Sequence, residues 1–175
     1  MSMRSVVIYL IGLAVCGIVA SGGAIAATKT QKTFGPWSVD CNESDKGAVS
    51  CGLRFALINK KNKAVVFGWT IVPGKEEGSQ KAVLQTPTSM LLPDGIRIQF
   101  PEAEPIAVPY RICGPRFCFA EFDFAPSWLA NFSAQKSVSV MLTNGKGQEL
   151  KYPIPLERFG EAYEFYTLQL QKEKQ

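Results

Sequence analysis

Apolar and polar residues alternate along most of this chain. In "WSVDC" (37–41), Trp37, Val39 and Cys41 fall on one side; in 49–57, Val49, Cys51, Leu53, Phe55 and Leu57 do. A period of two predicts strands with one buried face. The pattern returns over 64–72 (Val65, Phe67, Trp69, Ile71) and 96–100 (Ile96, Ile98, Phe100). Further strands are expected at 81–86, 107–113 and 117–124. The run "KSVSVMLT" (136–143) meets Asn144-Gly145, a hairpin signal, and "QELKYPI" returns from it. Turn-rich stretches such as "NESDKGA", "PGKEEGSQ" and "PTSMLLPDG" separate the runs. Two segments switch to helical spacing. Residues 125–135 carry Pro126 at a first turn, with Trp128, Leu129 and Phe132 on one face. Residues 156–171 place Leu156, Phe159, Tyr163, Tyr166 and Leu170 at steps of three and four. Together these elements predict a mainly β fold. The expectation is a two-sheet antiparallel sandwich carrying short helices, one of them at the C-terminus.

The first 26 residues follow a different pattern. Arg4 precedes an apolar run from Val6 to Ala20, and the small-residue exit Ala24-Ile25-Ala26 follows. That order predicts a cleaved secretory signal peptide over 1–26. A retained anchor needs about 20 apolar residues, which this run nearly reaches. Val15 is too bulky for the position preceding a lipidated Cys16. Cleavage leaves 175 − 26 = 149 residues: a polar lead-in at 27–33 and a single domain at 34–172, with no further membrane span. A domain of this size buries about 68–70% of its unfolded surface.

Charge and composition narrow the chemistry. Without Arg4, 18 basic and 15 acidic residues leave a net charge of +3. The basic residues are scattered along the sequence, which argues against nucleic-acid binding. Histidine is absent, which excludes Ser-His and Cys-His catalysis and histidine-containing metal sites. No cofactor is indicated.

Four cysteines follow the leader: Cys41, Cys51, Cys113 and Cys118. Zinc thiolate pairs are usually two to four residues apart, which the first pair violates. An even count in an exported chain points to disulfides. Local hairpin patterning favours Cys41–Cys51 and Cys113–Cys118, closing loops worth about 2.8 and 2.2 kcal/mol in the chain-entropy model. In the second hairpin, Cys113 alternates with Pro109 and Arg111, whereas Cys118 alternates with Ala120, Phe122 and Phe124. A bulge near Gly114 is expected to reconcile the two faces.

Two groups near the second pair are candidates for function. Glu121 and Asp123 lie two apart on one strand face, as a hydrolytic carboxylate pair could, although an ordinary solvated strand face gives the same spacing. Phe117 and Phe119 share that face and follow Arg116. Exposed aromatics beside an arginine suit a partner-binding patch, and packing beneath a loop or the terminal helix is the alternative.

"FGPWSVDC", "QTPTSMLLPDGIRIQF", "PYRICGPRFCFAEF" and "PLERFGEAY", in this order, resemble the invasion-associated locus B family. The resemblance runs from about Phe34 to Tyr166. It implies an immunoglobulin-like β-sandwich, exported to the periplasm or outer surface of a Gram-negative bacterium. Trp37, Gly160 and the four cysteines match the family's structural positions, while Pro93-Asp94 before Gly95 departs from its simpler turn. The family has no associated catalytic residues. The expected function is therefore a non-enzymatic protein that binds an envelope or host-surface partner. The rivals are a periplasmic structural or folding accessory and a hydrolase using Glu121 and Asp123.

Overall fold

A computed structural model describes residues 29–43 and 49–172; the leader lies outside them. The strands are β1 (Lys29–Phe34), β2 (Trp37–Glu43), β3 (Val49–Ile58), β4 (Val65–Pro73), β5 (Gln80–Pro87), β6 (Ile96–Gln99), β7 (Ile106–Val108), β8 (Tyr110–Cys113), β9 (Phe117–Asp123), β10 (Ser137–Thr143) and β11 (Glu149–Pro155). Helix α1 (Pro126–Ala134) precedes β10, and α2 (Phe159–Lys172) follows β11. Seven strands form one sheet in the order β1-β2-β3-β4-β5-β9-β8, and four form a second in the order β11-β10-β6-β7. Every pairing is antiparallel. The fold is mainly β, with two antiparallel sheets and a C-terminal helix, as the alternation predicts.

The apolar side of each alternating run closes the core. Trp37, Leu53, Phe67, Trp69, Ile71 and Leu84 come from the larger sheet; Ile96, Ile98, Val140, Leu142 and Ile154 come from the smaller. Phe132 of α1 sits at an aromatic hub. Its ring centroid lies 4.7–6.3 Å from those of Trp37, Trp69, Phe100, Phe124, Trp128 and Phe159, all edge-on or tilted. Such pairs contribute about 0.5–1.5 kcal/mol each beyond their buried area. The Trp37 indole nitrogen donates to the Pro155 carbonyl at 2.9 Å and ties the two sheets together. Helix α2 packs Phe159, Ala162 and Tyr166 against β1, β2 and β3.

Three boundaries differ from the sequence expectation. The polar lead-in at 27–33 is mostly strand, because β1 pairs along β2 from Lys29 to Phe34. An edge strand needs only backbone partners, and Lys32 lays its ammonium over the Phe34 and Phe165 rings at 5.1 and 4.6 Å. The run 107–113 is two strands in different sheets: β7 pairs with β6, and β8 pairs with β9. Pro109 lies between them and has no N–H to continue a ladder. At this crossing Gly95 has φ +64°, and a Cβ there would stand 2.8 Å from the Val108 carbonyl oxygen. Helix α2 starts at Phe159, three residues later than its periodicity suggests, because Arg158 adopts φ 57°.

Candidate functional site

Both disulfides join directly opposed strand residues. Cys41–Cys51 lies within the β2–β3 ladder with a Cα separation of 4.1 Å, and Cys113–Cys118 lies within β8–β9 at 4.0 Å. Opposed residues in antiparallel strands come this close at positions without paired backbone hydrogen bonds. Cys41, Cys51 and Cys118 are buried, while Cys113 is exposed. The irregularity that aligns the second pair is at Arg111, not near Gly114. Tyr110 faces Ala120 and Ile112 faces Phe119, so Arg111 is the extra residue. This one-residue slip brings Tyr110 and Cys113 to the same face as Cys118. Thr86, wholly buried, donates its hydroxyl to the Tyr110 oxygen at 3.1 Å. Burial raises the Tyr110 pKa, and the Thr86 hydrogen bond opposes that rise.

The outer face of β9 carries Phe117, Phe119, Glu121 and Asp123 in one line, opposite Pro87, Gln85, Val83 and Lys81 of β5. Both phenylalanines are half-buried. Ile112, which the bulge turns outward beside Phe119, is 64% exposed. Arg116 follows Pro115 in the hairpin turn and holds its guanidinium 6.0 Å from the Phe117 ring. The five candidate residues thus share one face and its end. Ile112 could not be recognised from sequence, because simple alternation across the bulge assigns it to the wrong side.

The same geometry weakens the hydrolase reading. Glu121 is ion-paired to Lys81 at 3.0 Å and to Arg111. Asp123 is exposed, and the depression beside the two carboxylates, about 400 Å3, is shallow. The Glu121 carboxylate is thus engaged by the protein's own side chains. A larger concavity, about 690 Å3, lies elsewhere, between the β4–β5 loop and α2, with Glu76, Ser79, Tyr163 and Leu170 in its walls. There Tyr163 donates to Gln80 Oε1 at 2.9 Å; burial raises its pKa and the Gln80 contact opposes the rise. Among the described residues, no cluster of three or more His, Cys, Asp or Glu side chains could hold a metal ion. Nor is any helix there long and apolar enough to cross a membrane.

A family model for the invasion associated locus B protein matches residues 37–166. The chain belongs to the invasion associated locus B family. The match begins at Trp37 in β2 and ends at Tyr166 in α2, so it contains both disulfides. Among solved structures, invasion associated protein B from Bartonella henselae has a TM-score of 0.69 to this chain at 24% identity. That alignment covers 82% of this chain and 98% of the other. At that identity the likeness speaks for the fold. No curated protein matches the sequence. Membership of the invasion associated locus B family, with two disulfides, fits an extracytoplasmic bacterial protein without enzymatic activity.

Proposed function

We propose that this chain is exported after cleavage behind Ala26 and acts at the Gram-negative envelope as a non-enzymatic binding protein. Its partner is a protein or surface component that docks on the outer face of β8 and β9. The observation that carries this reading is Ile112. It is 64% exposed beside the half-buried Phe117 and Phe119 on a stapled sheet edge. Exposed apolar side chains rimmed by Arg111, Arg116 and Lys81 have the composition of a binding hot spot. The disulfide holds this edge in place before binding, which lowers the ordering cost of association.

The test is site-specific photo-crosslinking from position 112 in cells, with the N-terminus of the exported chain checked by mass spectrometry. One dominant adduct is expected, and it should be lost in the Phe117→Ser/Phe119→Ser variant. An adduct that survives this double substitution, or no adduct at all, would retire the proposed patch. Protease treatment of intact and of permeabilised cells then separates a surface location from a periplasmic one.

A further inference from the structure

The lysines that look scattered in the sequence are gathered by the topology. In the larger sheet, β3 ends at Ile58 opposite Val65, where β4 begins, and β5 ends at Pro87 opposite Phe117, where β9 begins. The loops after β3 and β5 and the turn before β9 therefore lie at one end. The β10–β11 turn joins them: Gly145 N–H donates to the Ser89 carbonyl at 2.8 Å, and Met90 bridges to Asn144.

This end is basic. The β3–β4 loop contributes Lys60, Lys61 and Lys63, the β8–β9 turn Arg116 and the β10–β11 turn Lys146. Residues 59–64, 88–92, 114–116 and 144–148 contain no acid. None of the five cations makes an ion pair among the described residues. Of the acids that adjoin these loops in sequence, Glu149 is neutralised by Arg97 at 2.7 Å, which leaves Asp94. Large apolar side chains stand among the cations: Ile58 is 40% exposed, Leu91 39% and Leu92 44%.

The opposite end has the reverse character. The β4–β5 loop "GKEEGS" and the β6–β7 loop "PEAEP" carry Glu76, Glu77, Glu102 and Glu104 against Lys75 alone. Both lie where β9 finishes: Phe124 N–H donates to the Gln80 carbonyl at 2.9 Å, and the Phe100 ring lies tilted against Trp128 of α1 at 5.5 Å.

We infer that the basic, apolar-tipped end seats the domain on an anionic phospholipid surface. Lysines at a bilayer take up headgroup phosphates, while leucine and isoleucine tips enter the headgroup–acyl boundary. A second copy offering its acidic end would satisfy the charge but leave the apolar tips in water. A polyanion such as duplex DNA would do the same. The inference is independent of the patch on β8 and β9.

Among the described residues, every buried core residue lies between Phe34 and Tyr166, so the chain from Ala27 to Gln175 suits the experiment. Vesicles of phosphatidylcholine, with and without phosphatidylglycerol, are floated with the protein at low and high salt. Binding is expected only with phosphatidylglycerol and should weaken as salt rises. Lys60→Glu/Lys61→Glu/Lys63→Glu should weaken it about a hundredfold or more, since each surface cation contributes about fivefold. Leu91→Ser/Leu92→Ser should weaken the binding that remains at high salt, and Glu76→Lys/Glu102→Lys should not weaken it. Near-ultraviolet circular dichroism checks that each variant is folded. Equal binding to neutral vesicles, or indifference to the triple lysine reversal, would overturn the inference. So would binding to duplex DNA as tight as to vesicles and insensitive to the leucine change. Low-salt self-association in sedimentation velocity, abolished by reversing either end, would assign the two ends to each other instead.

Discussion

The hairpins β2–β3 and β8–β9 carry the same covalent bond between directly opposed residues, yet the two bonds sit in different surroundings. Cys41–Cys51 lies inside the seven-stranded sheet, with β1 and β4 as outer neighbours and both cysteines buried against the core. Cys113–Cys118 lies on the β8 edge, with Cys118 inside and Cys113 in solvent. A disulfide stabilises by restricting the unfolded chain and, where buried, by the packing of its sulfurs. The first staple has both contributions in full. The second has the entropic part and one buried sulfur, and it fixes an edge that would otherwise be free to fray or pair with another strand.

The largest effect that tests this contrast comes from deleting each bond. Cys41→Ala/Cys51→Ala removes about 2.8 kcal/mol of loop entropy together with buried sulfur packing, so a loss of about 3–5 kcal/mol is expected. Cys113→Ala/Cys118→Ala should cost about 2–3 kcal/mol. Urea unfolding of both variants at neutral pH measures the difference. If the edge variant were the less stable of the two, the comparison would be wrong.

Partial reduction sharpens it further. A thiolate must reach a sulfur to exchange with it, and Cys113 is exposed whereas Cys41 and Cys51 are 4% and 2% accessible. Under native conditions a mild dithiol should open Cys113–Cys118 first. Cys41–Cys51 should open only as the domain unfolds. Alkylation of the freed thiols followed by peptide mass mapping reads the order directly, and simultaneous reduction would remove the distinction.

Much of this architecture was legible in the sequence because period-two alternation reports burial directly. Trp37, Val39 and Cys41, or Phe67, Trp69 and Ile71, are inward residues on sight. What escaped has physical causes. β1 is polar because an edge strand is held by its backbone and can leave its side chains in water. The run 107–113 looks like one strand because sequence shows apolar residues but not which sheet receives them. The Arg111 bulge reverses the parity of Ile112, so the most exposed apolar side chain of the patch could not be placed by counting. The basic end was hidden for another reason. Lys60, Arg116 and Lys146 are far apart in the chain, and only antiparallel register brings their loops together.

The smallest predicted effect concerns what lies beneath the second staple. Tyr110 is inward only because of the Arg111 bulge, and its oxygen accepts the hydrogen bond of buried Thr86. Tyr110→Phe keeps the ring and removes that contact, so a loss of about 1 kcal/mol is expected near neutral pH. The sign of the pH dependence follows from the raised pKa. A tyrosine that ionises later in the folded protein than in the unfolded chain contributes its full stability below the unfolded value of about 10. As pH rises above that value the unfolded chain ionises first, and the contribution is lost. Tyr163 and Tyr166 shift the same way through burial, so the wild-type protein should lose stability on this alkaline limb through all three. Tyr110→Phe should lose less between neutral pH and the alkaline limb than wild type does, as shown by urea midpoints at the two conditions. An unchanged alkaline loss in Tyr110→Phe would mean that the phenol is not held inside by the bulge, and the account of how β8 is aligned would have to be revised.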